Sequence, residues 1–445
     1  MKILFISLGC DKNLVDSEVM LGLLAGNGYT MTDNEQEADI IIVNTCCFIG
    51  DAKEESVNTI LEMAELKRTG NCKALIVTGC MAQRYKEEVI AEIPEVDGVL
   101  GTSSYPEIVD TVKKVLEKNK VLSFYDMNKT AEFNVKRMLT TGGHYAHLKI
   151  AEGCDKNCTY CIIPKVRGHY RSTPLEKLIA EAKGLAEQGV KELILVAQET
   201  TLYGVDLYGE KSLHILLKEL CKIEGIHWIR IQYCYPEAIY DELIQTMKEE
   251  RKVCHYLDIP IQHANDEILK RMGRKTNKKQ LTKIIEKLRR EIPDIVLRTT
   301  LIAGFPGETK EQHEELMQFV NDMEFDRLGV FAYSREEDTP AAMMDNQVAE
   351  EIKQERREAI MELQQEVSSD KAETMIEKVL EVMVEGKVAD EPAYVTRTYG
   401  DAPGVDGYLF LNSGEIIETG TFLNAKVTGA LEYDLIGEIA DEFTE

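Results

Sequence analysis

The segment Asp39-Ile-Ile-Ile-Val-Asn44 is apolar at every position between two polar ends. A strand with one wet face alternates in polarity, because successive side chains point to opposite faces. An unbroken β-branched run instead predicts a strand buried on both faces, in a parallel sheet covered by helices. Lys2–Ser7, Lys73–Thr78 and Gly98–Leu100 are further short strand candidates before and after it. Helical periodicity lies between them, over Ser17–Ala25, Lys53–Lys67, Gln83–Ala91 and Pro106–Glu117. This alternation predicts an N-terminal open parallel α/β sheet over residues 1–117.

A polar stretch without clear period, 118–140, reads as a linker. Beyond it the alternation resumes. Strands are expected at His147–Ala151, Glu192–Ala197, Trp228–Tyr233, Tyr256–Pro260, Val296–Ala303 and Leu328–Tyr333. The helices between them are Leu175–Gln188, Leu213–Ile223, Ala238–Glu250, Lys278–Glu291 and Lys310–Met323. Thr173-Pro-Leu-Glu176 places Thr at the N-cap and Pro at the first helical position, and Thr309-Lys-Glu-Gln312 is a capping box. Six such units predict a partial, open (β/α)6 barrel over 141–370, with its active face at the carboxyl edge of the strands. After a charged helix, Val348–Ser368, five short strands separated by turn signals predict a small all-β barrel over 371–440, of the TRAM-like kind.

At 445 residues the chain exceeds one ordinary domain. Its first apolar stretch is too short for a signal peptide, and no run approaches the roughly 20 residues that cross a bilayer. A cytoplasmic protein with no membrane partner is expected. In that compartment its eleven cysteines point to metal ligands, catalytic groups or buried thiols more than to disulfides, and an odd number cannot all pair.

Cys10, Cys46 and Cys80 each fall just past the end of a predicted strand in the first sheet. Ligands of open parallel sheets bind outside the carboxyl ends of the strands, so these three should converge. Cys154, Cys158 and Cys161 form a C-x3-C-x2-C run in the loop after the first barrel strand. Thiolates are the usual ligands of iron–sulfur clusters. A four-iron cluster held by three cysteines keeps one iron open, able to chelate a small molecule and pass it an electron. Zinc with His169 as a fourth ligand is the alternative, at an untypical spacing. Cys47, Cys72, Cys221, Cys234 and Cys254 read as small core residues.

At the C-x3-C-x2-C run, with Tyr160 just before its last cysteine, the chain resembles the radical S-adenosylmethionine superfamily. The resemblance implies that a cluster on Cys154, Cys158 and Cys161 cleaves the bound sulfonium to methionine and a 5′-deoxyadenosyl radical. Protein ligands orient and shield that chemistry, which belongs to the cofactors. The resemblance also implies S-adenosylmethionine contacts from Tyr160 and from Gln198 and Glu199, in Ala197-Gln-Glu-Thr200 where the family usually has Gly-Gly-Glu. Gln262 and Arg298 are further candidates for its ribose or carboxylate. Over the whole chain, with Cys10, Cys46 and Cys80 ahead and a β-barrel behind, the chain is similar to the methylthiotransferase family. That implies a second four-iron cluster on the N-terminal cysteines, which carries the sulfur. The implied cofactors are two [4Fe–4S] clusters and S-adenosylmethionine, with an electron donor such as flavodoxin or ferredoxin.

Within that family, Ser7-Leu-Gly-Cys-Asp-Lys-Asn-Leu-Val-Asp-Ser-Glu18, Asp258-Ile-Pro-Ile-Gln-His263 and Leu297-Arg-Thr-Thr300 resemble the RimO-type branch. The MiaB-type branch, which acts on tRNA adenosine, usually has Gln-Met-Asn after the first cysteine. The RimO-type resemblance implies methylthio transfer to the β-carbon of an aspartate in ribosomal protein S-twelve. Charge points the same way. The chain carries −26, and Asp370–Glu445 holds five Lys/Arg against seventeen Asp/Glu, a net −12. An RNA-binding module shows a basic stripe; an acidic barrel attracts a basic protein, and direct RNA binding is not expected. A substrate aspartate calls for a cation, and Arg171 and Arg298 are the candidates.

Overall fold

The computed structural model describes residues 1–129 and 136–440. Residues 130–135, within the expected linker, and 441–445 lie outside the described residues. The first sheet has six parallel strands in the order Thr30–Met31, Lys2–Ser7, Ile40–Thr45, Ala74–Gly79, Gly98–Leu100, Val121–Ser123. Every residue of the two central strands, Ile40–Thr45 and Ala74–Gly79, is buried, as the unbroken apolar runs require. Two strands were not expected. Thr30–Met31 has only two residues, and Val121–Ser123 lies inside the stretch read as a linker and pairs with Gly98–Leu100.

The central sheet has six parallel strands in chain order: Tyr145–Lys149, Glu192–Val196, Trp228–Ile231, Val253–Asp258, Val296–Ala303, Arg327–Ala332. It is an open arc, the partial barrel expected from six βα units. The C-terminal strands close a barrel in the order Val379–Lys387, Ala393–Thr398, Leu409–Asn412, Leu435–Ile439, Phe422–Ala430. Among the described residues no helix is long and apolar enough to cross a membrane.

Both outer units pack against the central one. The C-terminal barrel caps the amino ends of the central strands. Glu192, at the start of its strand, binds Arg397 at 2.7 Å; Arg327, at the start of another, binds Asp401 at 2.5 Å. The Arg230 guanidinium donates to the Tyr399 carbonyl, and Trp228 packs edge-on against Phe422. The first sheet docks at the other, carboxyl edge. Ser334, just past the last central strand, accepts from the Gly50 N–H at 3.0 Å, and Arg84 binds Glu336 at 2.9 Å. Both outer units thus contact the middle one, but at opposite ends of its strands.

Three local expectations need correction. The first helix spans Asp11–Gly26, not Ser17–Ala25. Its early turns carry Lys12, Asn13, Asp16, Ser17 and Glu18, which are buried although polar, so apolar periodicity begins too late to mark the start. The Gln83–Ala91 helix is broken into Cys80–Tyr85 and Glu87–Glu92 by Lys86, at φ +48°. Thr173 does not cap Leu175–Glu187: Pro174 holds the cap position, and the Leu175 N–H donates to the Tyr208 hydroxyl at 3.0 Å. The Thr309 capping box forms as expected.

Candidate active site

Cys10, Cys46 and Cys80 each follow a strand of the first sheet directly, Cys10 after a two-residue turn and Cys80 as the first residue of its helix. Two glycines make the approach possible. Gly9 sits at φ +88°, and a Cβ there would lie 2.7 Å from Cys46 Cβ; Gly79 sits at φ +94°, where a Cβ would lie 2.4 Å from Asn44 Oδ1. Only glycine takes such positions without a clash. The Ser56 hydroxyl accepts the Cys46 N–H at 3.0 Å and donates to the Cys46 carbonyl, fixing that loop. Burial pushes the Cys46 thiol up to about 12, and Cys80 and Cys10 add to the shift. Burial raises the Cys80 thiol as well, against the opposing charge of Arg167. Thiols that resist ionisation alone but crowd one another are stabilised as thiolates by a bound cation. Among the described residues no three donors are close enough to grip a single ion.

The second triplet lies in the loop after Tyr145–Lys149. The loop opens with a two-residue ladder between Ala151–Glu152 and Arg171–Ser172. Gly153, at φ +81°, then turns the chain where a Cβ would lie 2.1 Å from the His169 carbonyl. Backbone bonds hold the cysteines: Cys154 N–H to Gly168 O at 3.1 Å, Cys161 N–H to Cys158 O at 3.0 Å, and Thr159 N–H to Met272 O at 2.9 Å. Burial pushes the Cys154 thiol up to about 11, with Cys158 adding to it, and raises Cys161 further. His169 is 78% exposed and paired with Asp155, while Cys154 and Cys158 are buried. His169 thus turns away from the buried cysteines that it would join in the zinc alternative.

The other sequence candidates fall in different places. Glu199 is fully buried, accepts from Thr201, and lies 3.6 Å from Lys156 Nζ, which is also 3.5 Å from Glu237. Gln198 donates to Glu152 at 2.6 Å, and its own oxygen is buried without a partner. Tyr160 packs with the cluster of Ile268, Met272, Phe305 and Tyr333. Gln262, at φ +71°, bridges through its backbone to the Val296–Ala303 strand. Arg298 is already engaged, by Asp258 at 2.9 Å and by Asp406 of the terminal barrel at 3.3 Å. Arg171 donates to the carbonyls of Arg167 and His169.

Residues that periodicity and spacing did not single out tie the triplets together. Arg167 donates from Nε to Cys80 Sγ at 3.3 Å, and its other nitrogens reach Asp16, Glu152 and Asn13. Lys149 joins the same cluster through Asp16 and Glu152. Burial disfavours the Glu152 carboxylate, but Lys149 and Arg167 outweigh it and hold the group below the usual range. After the third central strand, Tyr233 and Tyr235 face different triplets. The Tyr235 hydroxyl lies 3.6 Å from Cys158 Sγ; Tyr233 donates to Asp11, next to Cys10, and its ring lies under Lys12. Arg274 stacks on Tyr235 at 4.1 Å and keeps two buried nitrogens without a partner. A position at the carboxyl end of a strand was the available signal for the two tyrosines.

Glu199 supplies a pH test. Burial pushes its carboxyl up to about 7, against the pull of Lys156. The folded state therefore holds this proton more tightly than the unfolded chain, whose value is ~4.3. The resulting stabilisation is complete below about pH 4 and is lost as pH rises through 7. Glu199→Gln is neutral throughout. In cluster-free protein it should gain about 4 kcal/mol on the wild type between acidic and alkaline pH, at ~1.4 kcal/mol per unit. Denaturant unfolding at stepped pH checks this; parallel stability curves for the two proteins would refute it.

Comparison with known proteins agrees with the three-part build. Residues 2–101 match the model described as Uncharacterized protein family UPF0004, 148–320 the Radical SAM superfamily, and 376–440 the TRAM domain. A protein of Lachnoclostridium phytofermentans named Ribosomal protein uS12 methylthiotransferase RimO is 62% identical over 98% of this chain and 99% of its own length. Proteins of the same name from Clostridioides difficile and Acetivibrio thermocellus are 50% and 52% identical, over 99% of both chains in each case. Among solved structures, the radical S-adenosylmethionine methyltransferase TsrM from Kitasatospora setae, with cobalamin and a [4Fe-4S] cluster bound, aligns with TM-score 0.54. It is 13% identical over 77% of each chain, a likeness of fold.

Proposed function

Since the chain belongs to the RimO family of ribosomal protein uS12 methylthiotransferases, we propose that it attaches a methylthio group to the β-carbon of an aspartate in uS12. The observation that carries this reading is the pair of cysteine triplets. One stands on the first sheet and one on the central barrel, and the Tyr233–Tyr235 loop has a tyrosine at each. Residues 1–117 present the first triplet, 141–370 the second, and 371–440 the acidic barrel.

The donor set fits iron–sulfur clusters: three thiols per site, mostly buried, with His169 turned out to solvent at the second. Cys154, Cys158 and Cys161 would hold one [4Fe–4S] cluster, and Cys10, Cys46 and Cys80 a second. Bound there, the clusters and S-adenosylmethionine supply the radical and the sulfur. The chain's own groups do the rest. Glu199, held beside Lys156, offers its carboxylate to an ammonium, and Gln198 has a free carbonyl oxygen beside it. Arg274, near the Cys158 loop, has two N–H groups without a partner among the described residues, which can meet a carboxylate. The first sheet docks on the carboxyl edge of the barrel through Gly50 to Ser334 and Arg84 to Glu336, on the side where both triplets stand. Tyr160, Gln262 and Arg298 complete the set of cofactor-side candidates, with Arg298 the least free to turn. Flavodoxin or ferredoxin would supply the electron.

The terminal barrel sits at the opposite end of the central strands from the cysteines. The net −12 of Asp370–Glu445 therefore acts on the approach of a basic protein rather than on the chemistry. The same charge repels phosphate, so tRNA is disfavoured. Deleting the gene and measuring both substrates by mass spectrometry tests the choice. uS12 should lose one methylthio group while tRNA adenosines keep theirs. Unmodified tRNA with intact uS12 would reverse the assignment.

A further inference from the structure

Buried cations between the first sheet and the barrel come with carboxylates. Lys149 and Arg167 each have Asp16 and Glu152, and Arg137 has Glu18 and Glu181. Lys12 is different. It is 6% exposed; Tyr233, Cys10 and Asp11 favour its charge, but none of the ion pairs among the described residues includes it. Its close neighbour is the face of Tyr233, with Nζ 3.2 Å from the ring centroid. A ring face offsets part of the cost of burying an ammonium, and an anion offsets far more. The adjacent Asp11 is engaged elsewhere. It accepts from the Tyr233 hydroxyl at 3.1 Å and lies 3.5 Å from His147 Nε2.

The neighbourhood is built, not incidental. Tyr233 sits at φ +59°, an outlier for an aromatic residue, and its N–H is held by the Asp258 carboxylate at 3.1 Å. Such strain persists only where the surroundings over-determine it. Lys12 is two residues beyond Cys10, and Tyr233 is two residues before Tyr235, which reaches Cys158. The ammonium thus lies near Cys10, on a loop whose next tyrosine reaches the other triplet. Arg274, which makes no ion pair among the described residues, stacks against Tyr235 on the Cys158 side instead.

We propose that Lys12, backed by the Tyr233 ring, binds the side-chain carboxylate of the substrate aspartate and thereby selects the residue that is modified. This rests on the reading of uS12 as substrate. Anchoring the carboxylate places the β-carbon one bond away, near Cys10. A site that presents a buried charge rejects an isosteric amide, because the ammonium is then left unpaired.

The test is binding of fluorescently labelled uS12, carrying Asp or Asn at the modified position, to reconstituted protein with S-adenosylmethionine present. Preparations are compared at matched iron content. The wild type should prefer the Asp form by roughly ten- to a hundredfold, the range for a lost hydrogen bond to a charged group. Lys12→Met should erase that preference, and Lys12→Arg should restore part of it. If Lys12→Met does not load iron, Lys12→Gln takes its place. Equal binding of both forms by the wild type, or an undiminished preference in the variant, overturns the proposal. A wild type that binds neither form overturns the uS12 reading instead.

Discussion

Replacing Cys10, Cys46 and Cys80 together with alanine should leave 5′-deoxyadenosine formation in place and reduce methylthio transfer to below detection. The two triplets stand on different sheets and are fixed by different backbone bonds. Cys154 and Cys161 and their loop are held by Gly168 O, Cys158 O and Met272 O, none of which involves the first sheet. The loop region meets the N-terminal cysteines through the Arg167 Nε hydrogen bond to Cys80 Sγ and through Ile162 and Val166, which share an apolar cluster with Cys80. Without that sulfur, Arg167 still has Asp16, Glu152 and Asn13 to hold it. The loop that cleaves S-adenosylmethionine should therefore keep its shape. Alanine at Cys154, Cys158 and Cys161 should instead remove both activities. Chromatography of 5′-deoxyadenosine and mass spectrometry of uS12, run on the same reactions, read the two separately. Continued methylthio transfer by the first variant would mean that sulfur is delivered from elsewhere.

The second large effect is structural. Arg397→Met should destabilise the protein by about 3–5 kcal/mol, the usual cost of breaking a buried ion pair from one side. Arg397 is fully buried and binds Glu192 at 2.7 Å and Glu385 at 2.7 Å. Glu192 is fully buried too, and shares itself with Arg230 at 2.7 Å. Burial opposes the Glu192 charge, but Arg230 and Arg397 outweigh it, so the carboxylate remains ionised in the folded state. Removing Arg397 leaves that carboxylate with one cation and Glu385 with its His144 contact. Urea unfolding of cluster-free protein gives the size of the loss. A combined Glu192→Leu and Arg397→Met variant should lose less than the sum of the single changes, because the groups belong to one network. A single-variant loss under about 1 kcal/mol would mean that the terminal barrel does not depend on this contact.

The fold was legible where one element decides its own fate. Ile40-Ile-Ile-Val could only be a strand buried on both faces, and it is the centre of the first sheet. The cysteines at strand ends were legible for the same reason: the carboxyl edge of a parallel sheet is set by local alternation. What was not legible is burial created by another domain. Asn13, Asp16 and Glu18 look like the exposed start of a loop, yet Arg167 and Arg137, more than a hundred positions away, cover them. Lys12 was hidden by the same effect. Arg298 shows the converse. Its place in the Val296–Ala303 strand was readable, but Asp406, which reaches it from the terminal barrel, was not. Chain order carries no sign that the last domain packs against the amino ends of the central strands. The Thr173 cap failed on a smaller scale, because a distant tyrosine hydroxyl took the amide that a threonine would serve.

The central claim is that each cysteine triplet holds its own cluster, and counting iron and acid-labile sulfide in anaerobically reconstituted protein tests it most directly. Two four-iron clusters predict about eight irons and about eight sulfides per chain. About four irons, or stoichiometric zinc with little iron, would contradict it.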